Sequence, residues 1–115
     1  MSEPSDFAID RLRRAAAGLP EVEVGSWYGT PALKVRGKGF CRVKDADTVV
    51  LMCAMEEKEI LLSAAPDIYF ETDHYKGWPA MLARIRLIAD DELALRLGRA
   101  WRLKAPKSLL KDIRA

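Results

Sequence analysis

The stretch Leu33-Lys34-Val35-Arg36-Gly37-Lys38-Gly39-Phe40-Cys41-Arg42-Val43-Lys44 decides the fold class. Apolar and charged side chains alternate on either side of a glycine pair. Period-two alternation marks strands with one buried and one wet face. The segment therefore reads as a β-hairpin, with Gly37-Lys38-Gly39 as a three-residue loop. Leu33, Val35, Cys41 and Val43 point to the core, and Lys34, Arg36, Arg42 and Lys44 point away from it.

Working outward, Asp45-Ala46-Asp47 makes the next turn, and the continuous apolar run Thr48–Ala54 reads as a central strand. Upstream, Val24–Gly29 reads as a short strand or extended segment. Before it, Ala8, Ile9, Leu12, Ala15, Ala16 and Leu19 recur at helical spacing behind a Ser5 or Asp6 cap, and Gly18 with Leu19-Pro20 ends the helix. Downstream, Met55–Ala65 is helical, with Glu56, Glu57 and Glu59 near its positive end and Ile60, Leu61 and Ala64 as its buried side. Ile68–Glu71 is a strand. Ala80–Ile88 is a long one, in which Met81, Ala83, Ile85 and Leu87 alternate with Arg84 and Arg86. Asp90 or Asp91 caps a helix to Lys104, and Lys107–Arg114 forms a last short one. Leu93, Ala94, Leu97, Ala100 and Trp101 form the apolar stripe of the Lys104 helix, with Trp101 as core anchor and Arg96, Arg99 and Arg102 as its wet side. The order is helix, three or four antiparallel strands, helix, two strands, helix. It predicts an α+β domain over residues 1–115, with an antiparallel sheet and helices mainly on one face.

Composition is ordinary for a globular chain, 50% hydrophobic and 31% charged. No apolar run approaches the roughly 18 residues that span a bilayer, and the polar N-terminus has no signal-peptide core. The expected setting is the reducing cytoplasm, with no membrane partner. Cys41 and Cys53 lie in apolar runs and read as buried thiols, and no Cys/His spacing predicts a metal. Net charge is +2, yet residues 1–75 carry 9 Lys/Arg against 13 Asp/Glu, and residues 76–115 carry 10 against 4.

Three groups bear on function. Lys34, Arg36, Arg42, Lys44, Arg84 and Arg86 are expected on the face the helices leave bare, with Lys38 at the hairpin tip and Lys76 nearby. Lys and Arg contacts to phosphate supply most non-specific nucleic-acid affinity, and Phe40 and Tyr69 would add stacking surface. The loop Asp73-His74-Tyr75-Lys76-Gly77-Trp78-Pro79 carries the only histidine. His74 either meets a ligand or partner, or orders the loop through a hydrogen bond to Asp73 or backbone. Trp78 is expected to staple this loop to the core. Of Trp27 and Tyr28, neighbours on a strand, one should be core and the other should line a groove beside that loop. Neither a nucleophile elbow nor a phosphate-cradling glycine loop is present, so no catalytic residue and no cofactor is expected.

Leu19–Glu23, Gly29–Val35, Gly37–Phe40, Thr72–Ala80 and Ala100–Leu103 with Ala105–Lys107, in this order and spacing, resemble the MmcQ/YjbR-like family of small bacterial proteins. The resemblance implies an α+β fold similar to secretion chaperones. It implies a DNA-binding label that rests on two β-wings gripping a duplex. It implies no agreed reaction or cofactor. A histidine in the loop before the last strand is typical of many members, and His74 matches it. The leading reading is a non-enzymatic DNA-binding protein. The alternatives are a protein- or peptide-binding or homodimerising module anchored by Trp27 or Tyr28, Tyr75 and Trp78, and a small-ligand binder or enzyme around His74.

Overall fold

The structure, a computed structural model, describes residues 4–112, with the side chains of Pro4, Ser5 and Asp112 left aside. Helix α1 (Pro4–Ala15) leads into strands β1 (Val22–Trp27), β2 (Thr30–Val35), β3 (Lys38–Val43) and β4 (Thr48–Met52). Helix α2 (Met55–Ala64), strand β5 (Tyr69–Phe70), a 3-10 turn (Asp73–Tyr75) and strand β6 (Ala80–Arg84) follow, then α3 (Asp90–Lys104) and α4 (Lys107–Asp112). The sheet is antiparallel throughout, in the order β1-β2-β3-β4-β6-β5. The expected α+β architecture and element order hold.

Strand register separates the two faces. Leu33, Cys41, Leu51 and Met81 lie opposite one another in a row across β2, β3, β4 and β6. They share one apolar cluster with Ala8, Leu12 and Ala16 of α1 and Leu93, Leu97, Ala100 and Trp101 of α3. Trp101 is fully buried, and its indole N–H donates to the Pro20 carbonyl at 3.0 Å. The Arg11 guanidinium donates to the carbonyls of Ile85 and Ile88 and pairs with Asp90, tying α1 to the end of β6 and the start of α3. Glu57 of α2 joins α3 through Arg96 at 2.6 Å and Arg99 at 2.5 Å.

The next row, Ala32, Arg42, Val50, Leu82 and Phe70, faces the other way. Val50, Ala80 and Leu82 form a second, smaller cluster there, covered by Met52, Phe70 and Tyr75. The open face therefore has an apolar floor as well as cations. No helix among the described residues is long and apolar enough to cross a membrane.

Several local expectations are corrected. The β2–β3 loop is two residues, Arg36-Gly37, because Val35 pairs directly with Lys38. Both loop residues have positive φ (51° and 81°), the mark of a type I′ turn, whose twist matches that of the strands. β4 stops at Met52 and β5 spans only Tyr69–Phe70. β6 ends at Arg84, so Arg86 lies beyond the strand and Leu87 is 57% exposed. Phe40 and Tyr69 offer no stacking surface, since both are buried in the helix-covered core. In α2, Ile60 and Ala64 are exposed and Lys58 is the buried side chain. Arg96 is largely enclosed by its pairing with Glu57 and Glu92. Helix α3 begins on Asp90 after Ala89, without a side-chain cap. Arg114 lies outside the described residues.

Candidate functional site

The β1–β2 turn repeats the geometry of the β2–β3 turn. Trp27 pairs with Thr30, and the two intervening residues, Tyr28 and Gly29, have φ of 55° and 77°. A positive φ at tyrosine is uncommon. It carries Tyr28 off the strand to the hairpin tip, where the ring is 79% exposed and stacks on Trp27 with centroids 5.6 Å apart. Neither aromatic belongs to the core, which corrects the expectation that one would. The Trp27 indole lies flat against the backbone of Gly39: a Cβ there would fall under 3.0 Å from three ring carbons.

Arg42 projects from β3 into the space beside these rings. It donates to Thr30 Oγ1 at 3.1 Å and to the Tyr75 hydroxyl at 2.7 Å, with its guanidinium carbon 5.3 Å from the Tyr28 ring centroid. It has no carboxylate partner among the described residues.

The loop after β5 supplies the opposite wall, held by a buried cation. Lys58 of α2 is almost fully enclosed, and its ammonium donates to the carbonyls of Tyr75 at 2.7 Å and Trp78 at 2.8 Å. The Glu71 carboxylate stands 3.9 Å from it, and its Oε2 has no hydrogen-bond partner. A buried charge is costly unless it is paired and hydrogen-bonded. Lys58 meets that condition only while the loop presents those two carbonyls, so its desolvation holds residues 75–78 in one conformation. Gly77 supplies the positive φ, 78°, that turns the chain back.

Together these elements enclose a cleft of about 520 Å³, a size typical of ligand sites. Trp27, Tyr28, His74, Tyr75 and Trp78 give it aromatic walls, and Met52, Pro79 and Ala80 line it further. Arg42 and Lys104, the last residue of α3, supply positive charge, and no carboxylate among the described residues lines it. His74 is exposed, its ring edge-on to Tyr75 at 4.8 Å, with no hydrogen bond to Asp73 or to backbone among the described residues. Trp78 is 63% exposed and lines the cleft, so it does not staple the loop to the core.

The remaining sequence candidates divide. Arg36 is bound through two nitrogens to Glu21, at 2.5 and 2.9 Å, and that hydrogen bonding holds the Glu21 carboxyl below its ordinary range. Arg86 pairs with Asp47 at 2.7 Å and covers the Phe7 ring. Both are therefore neutralised. Arg84 lies over the Phe70 ring, 4.1 Å from its centroid. Lys34 packs beside Gly25, and Lys38, Lys44 and Lys76 are exposed; none of the four forms an ion pair among the described residues.

Burial pushes the Cys41 and Cys53 thiols up, for Cys53 reinforced by Glu57, so neither is a ready nucleophile. Burial, reinforced by its hydrogen bond to Glu92, likewise raises the Tyr69 phenol. No cluster of three metal-ligating side chains exists among the described residues. Sequence reasoning missed Lys58. Lys58 carried one signal, a lysine flanked by Glu57 and Glu59 and one turn before Leu61 and Leu62.

A family model described as YjbR matches residues 17–103. Uncharacterised proteins of Mycobacterium tuberculosis and Mycobacterium bovis are 37% identical over 54 residues, 47% of this chain. That match takes in 42% of those relatives' own length. The crystal structure of a Deinococcus radiodurans protein with a DUF419 domain superposes with a TM-score of 0.70 at 17% identity, over 83% of this chain and 76% of the other. At that identity the likeness concerns the fold.

Proposed function

The chain belongs to the YjbR family, and from that premise we propose that it is a non-enzymatic DNA-binding protein of the cytoplasm. Its contact surface is the open sheet face centred on Arg42. The observation that carries this reading is the placement of Arg42: fixed by Thr30 and Tyr75 in a cleft, with no acidic partner and no lining carboxylate among the described residues. Strand alternation puts Lys34 and Arg84 on the same sheet face as Arg42, and Lys38, Lys44 and Lys76 are exposed; none of the five forms an ion pair among the described residues. Arg36 and Arg86 drop out of the contact set because Glu21 and Asp47 neutralise them. The two buried, unpaired thiols suit a reducing compartment.

Titration of labelled DNA at several salt concentrations tests the proposal. Four to six phosphate contacts give a log–log salt slope of roughly −3 to −5. Arg42→Met should weaken binding and flatten that slope by about one. No binding at about 50 mM salt, or a response flat in salt, overturns the reading.

A second reading has its own support. Tyr28 and Trp78 are the most exposed aromatics of the described chain, and such residues anchor protein interfaces. Light scattering across a concentration series checks it: a mass rising to the dimer, abolished by Trp78→Ala, would favour self-association through this cleft.

A further inference from the structure

We infer that the cleft between the Tyr28 hairpin tip and the His74 loop takes the base of one unpaired nucleotide, so that the surface prefers single-stranded to duplex DNA. The inference rests on the DNA-binding reading and specifies the form of DNA. In a duplex each base is covered above and below by its neighbours, and only its edges are reachable from the grooves. A concave site with aromatic walls offers nothing to such edges. It does offer faces to a base that has left the stack.

Three observations favour this occupant. Tyr28 and Trp78 leave most of their ring surface uncovered, while their neighbours Trp27 and Tyr75 are half-buried and held, the first against Gly39 and the second by Arg42. Exposed outer rings beside held inner ones offer free faces to a planar group without repacking the sheet. The charge at the site is of one sign, from Arg42 and Lys104, which suits a phosphate attached to that planar group. Finally, the cleft is preformed: the Lys58 ammonium fixes one wall through two carbonyls, and the Tyr28-Gly29 turn fixes the other. Little ordering is then left to oppose binding.

The test compares three probes on the whole chain: a labelled thymidine dodecamer, a duplex of the same length, and thymidine monophosphate as competitor. The single strand should bind at least ten times more tightly than the duplex. Trp78→Ala and Tyr28→Gly remove exposed rings, and glycine accepts the positive φ of position 28 without strain. Each should weaken the single strand by about 5- to 150-fold, the range for losing one stacked base. Duplex affinity should fall by a much smaller factor than single-strand affinity, with an unchanged circular dichroism spectrum. Duplex binding as tight as single-strand binding, or two variants that keep full affinity for the single strand, overturns the inference and leaves the DNA-binding reading standing. Absence of binding by both DNAs at about 50 mM salt overturns both. Monophosphate binding as tight as that of the dodecamer assigns the cleft to a free nucleotide and overturns the strand.

Discussion

The two faces of this sheet are made by the same strands, yet they are held by different forces. Under α1 and α3 the contact is apolar and continuous, from Leu12 through Leu33 and Met81 to Trp101. On the open side the apolar floor of Val50, Ala80 and Leu82 is small, and order comes from a few polar tethers: Arg42 to Thr30 and Tyr75, and Lys58 to the loop carbonyls. Apolar burial is non-directional and sums over area. Hydrogen-bonded tethers are directional and few, so each fixes a particular side chain. The covered face should answer mutation with stability, and the open face with geometry and binding.

The largest break in that comparison should come from Trp101→Ala. Removing a fully buried indole that also donates to the Pro20 carbonyl should cost about 3–5 kcal/mol, read as a fall in the denaturant midpoint. The proposed DNA affinity should hardly change in the fraction still folded. A loss under about 1 kcal/mol would mean that the face is not a single packed core.

Lys58→Met is next and crosses between the faces, because Lys58 starts in α2 and ends on the loop. It leaves the Tyr75 and Trp78 carbonyls without their charged donor, so about 1.5–3 kcal/mol of stability should go. Amide exchange should quicken at residues 73–78 well beyond the rest of the chain. Uniform acceleration would deny Lys58 a local role.

Gly39→Ala should cost about 1–3 kcal/mol, because the new methyl meets the Trp27 ring and one of the two must move. Trp27 fluorescence should shift toward that of a wetter indole. An unchanged emission spectrum would show that the ring does not rest on Gly39.

The smallest effect sharpens the contrast between the two hairpin tips, Tyr28-Gly29 and Arg36-Gly37. The folded carboxyl of Glu21 sits below its ordinary value of 4.5. Its pairing with Arg36 therefore adds stability above about pH 4.5, and that stability is lost as pH falls through the lower, folded value. Glu21→Gln should melt slightly lower than the wild type at pH 7 and equally at pH 2–3. Both groups are solvent-exposed, so the difference should be small and should shrink in salt.

Much of this was legible in the chain because periodicity reports burial directly. Leu12, Leu33, Val43, Leu97 and Trp101 all lie in the core that their spacing assigns them, and α3 ends at Lys104 as read. The turns were less legible. Arg36-Gly37 and Tyr28-Gly29 are both loops of the form X-Gly, but a glycine also sits at position 39, and alternation alone does not say which residue carries positive φ. The site was half legible. Trp27, Tyr28, Arg42, His74 and Tyr75 do meet in one cleft, while Arg36 and Arg86 are withdrawn by carboxylates from other segments.

By itself, then, the sequence determined the periodic part of the core against α1 and α3, Leu12, Leu33, Val43, Leu97 and Trp101, since local period and apolar content do not depend on distant partners. Tertiary structure alone decided which cations stay unpaired, because Glu21 and Asp47 reach Arg36 and Arg86 only once strands and turns are in place. It also decided that Lys58 turns inward. A lysine is buried only where the fold brings it acceptors, and the carbonyls of Tyr75 and Trp78 lie 17 and 20 residues further along the chain.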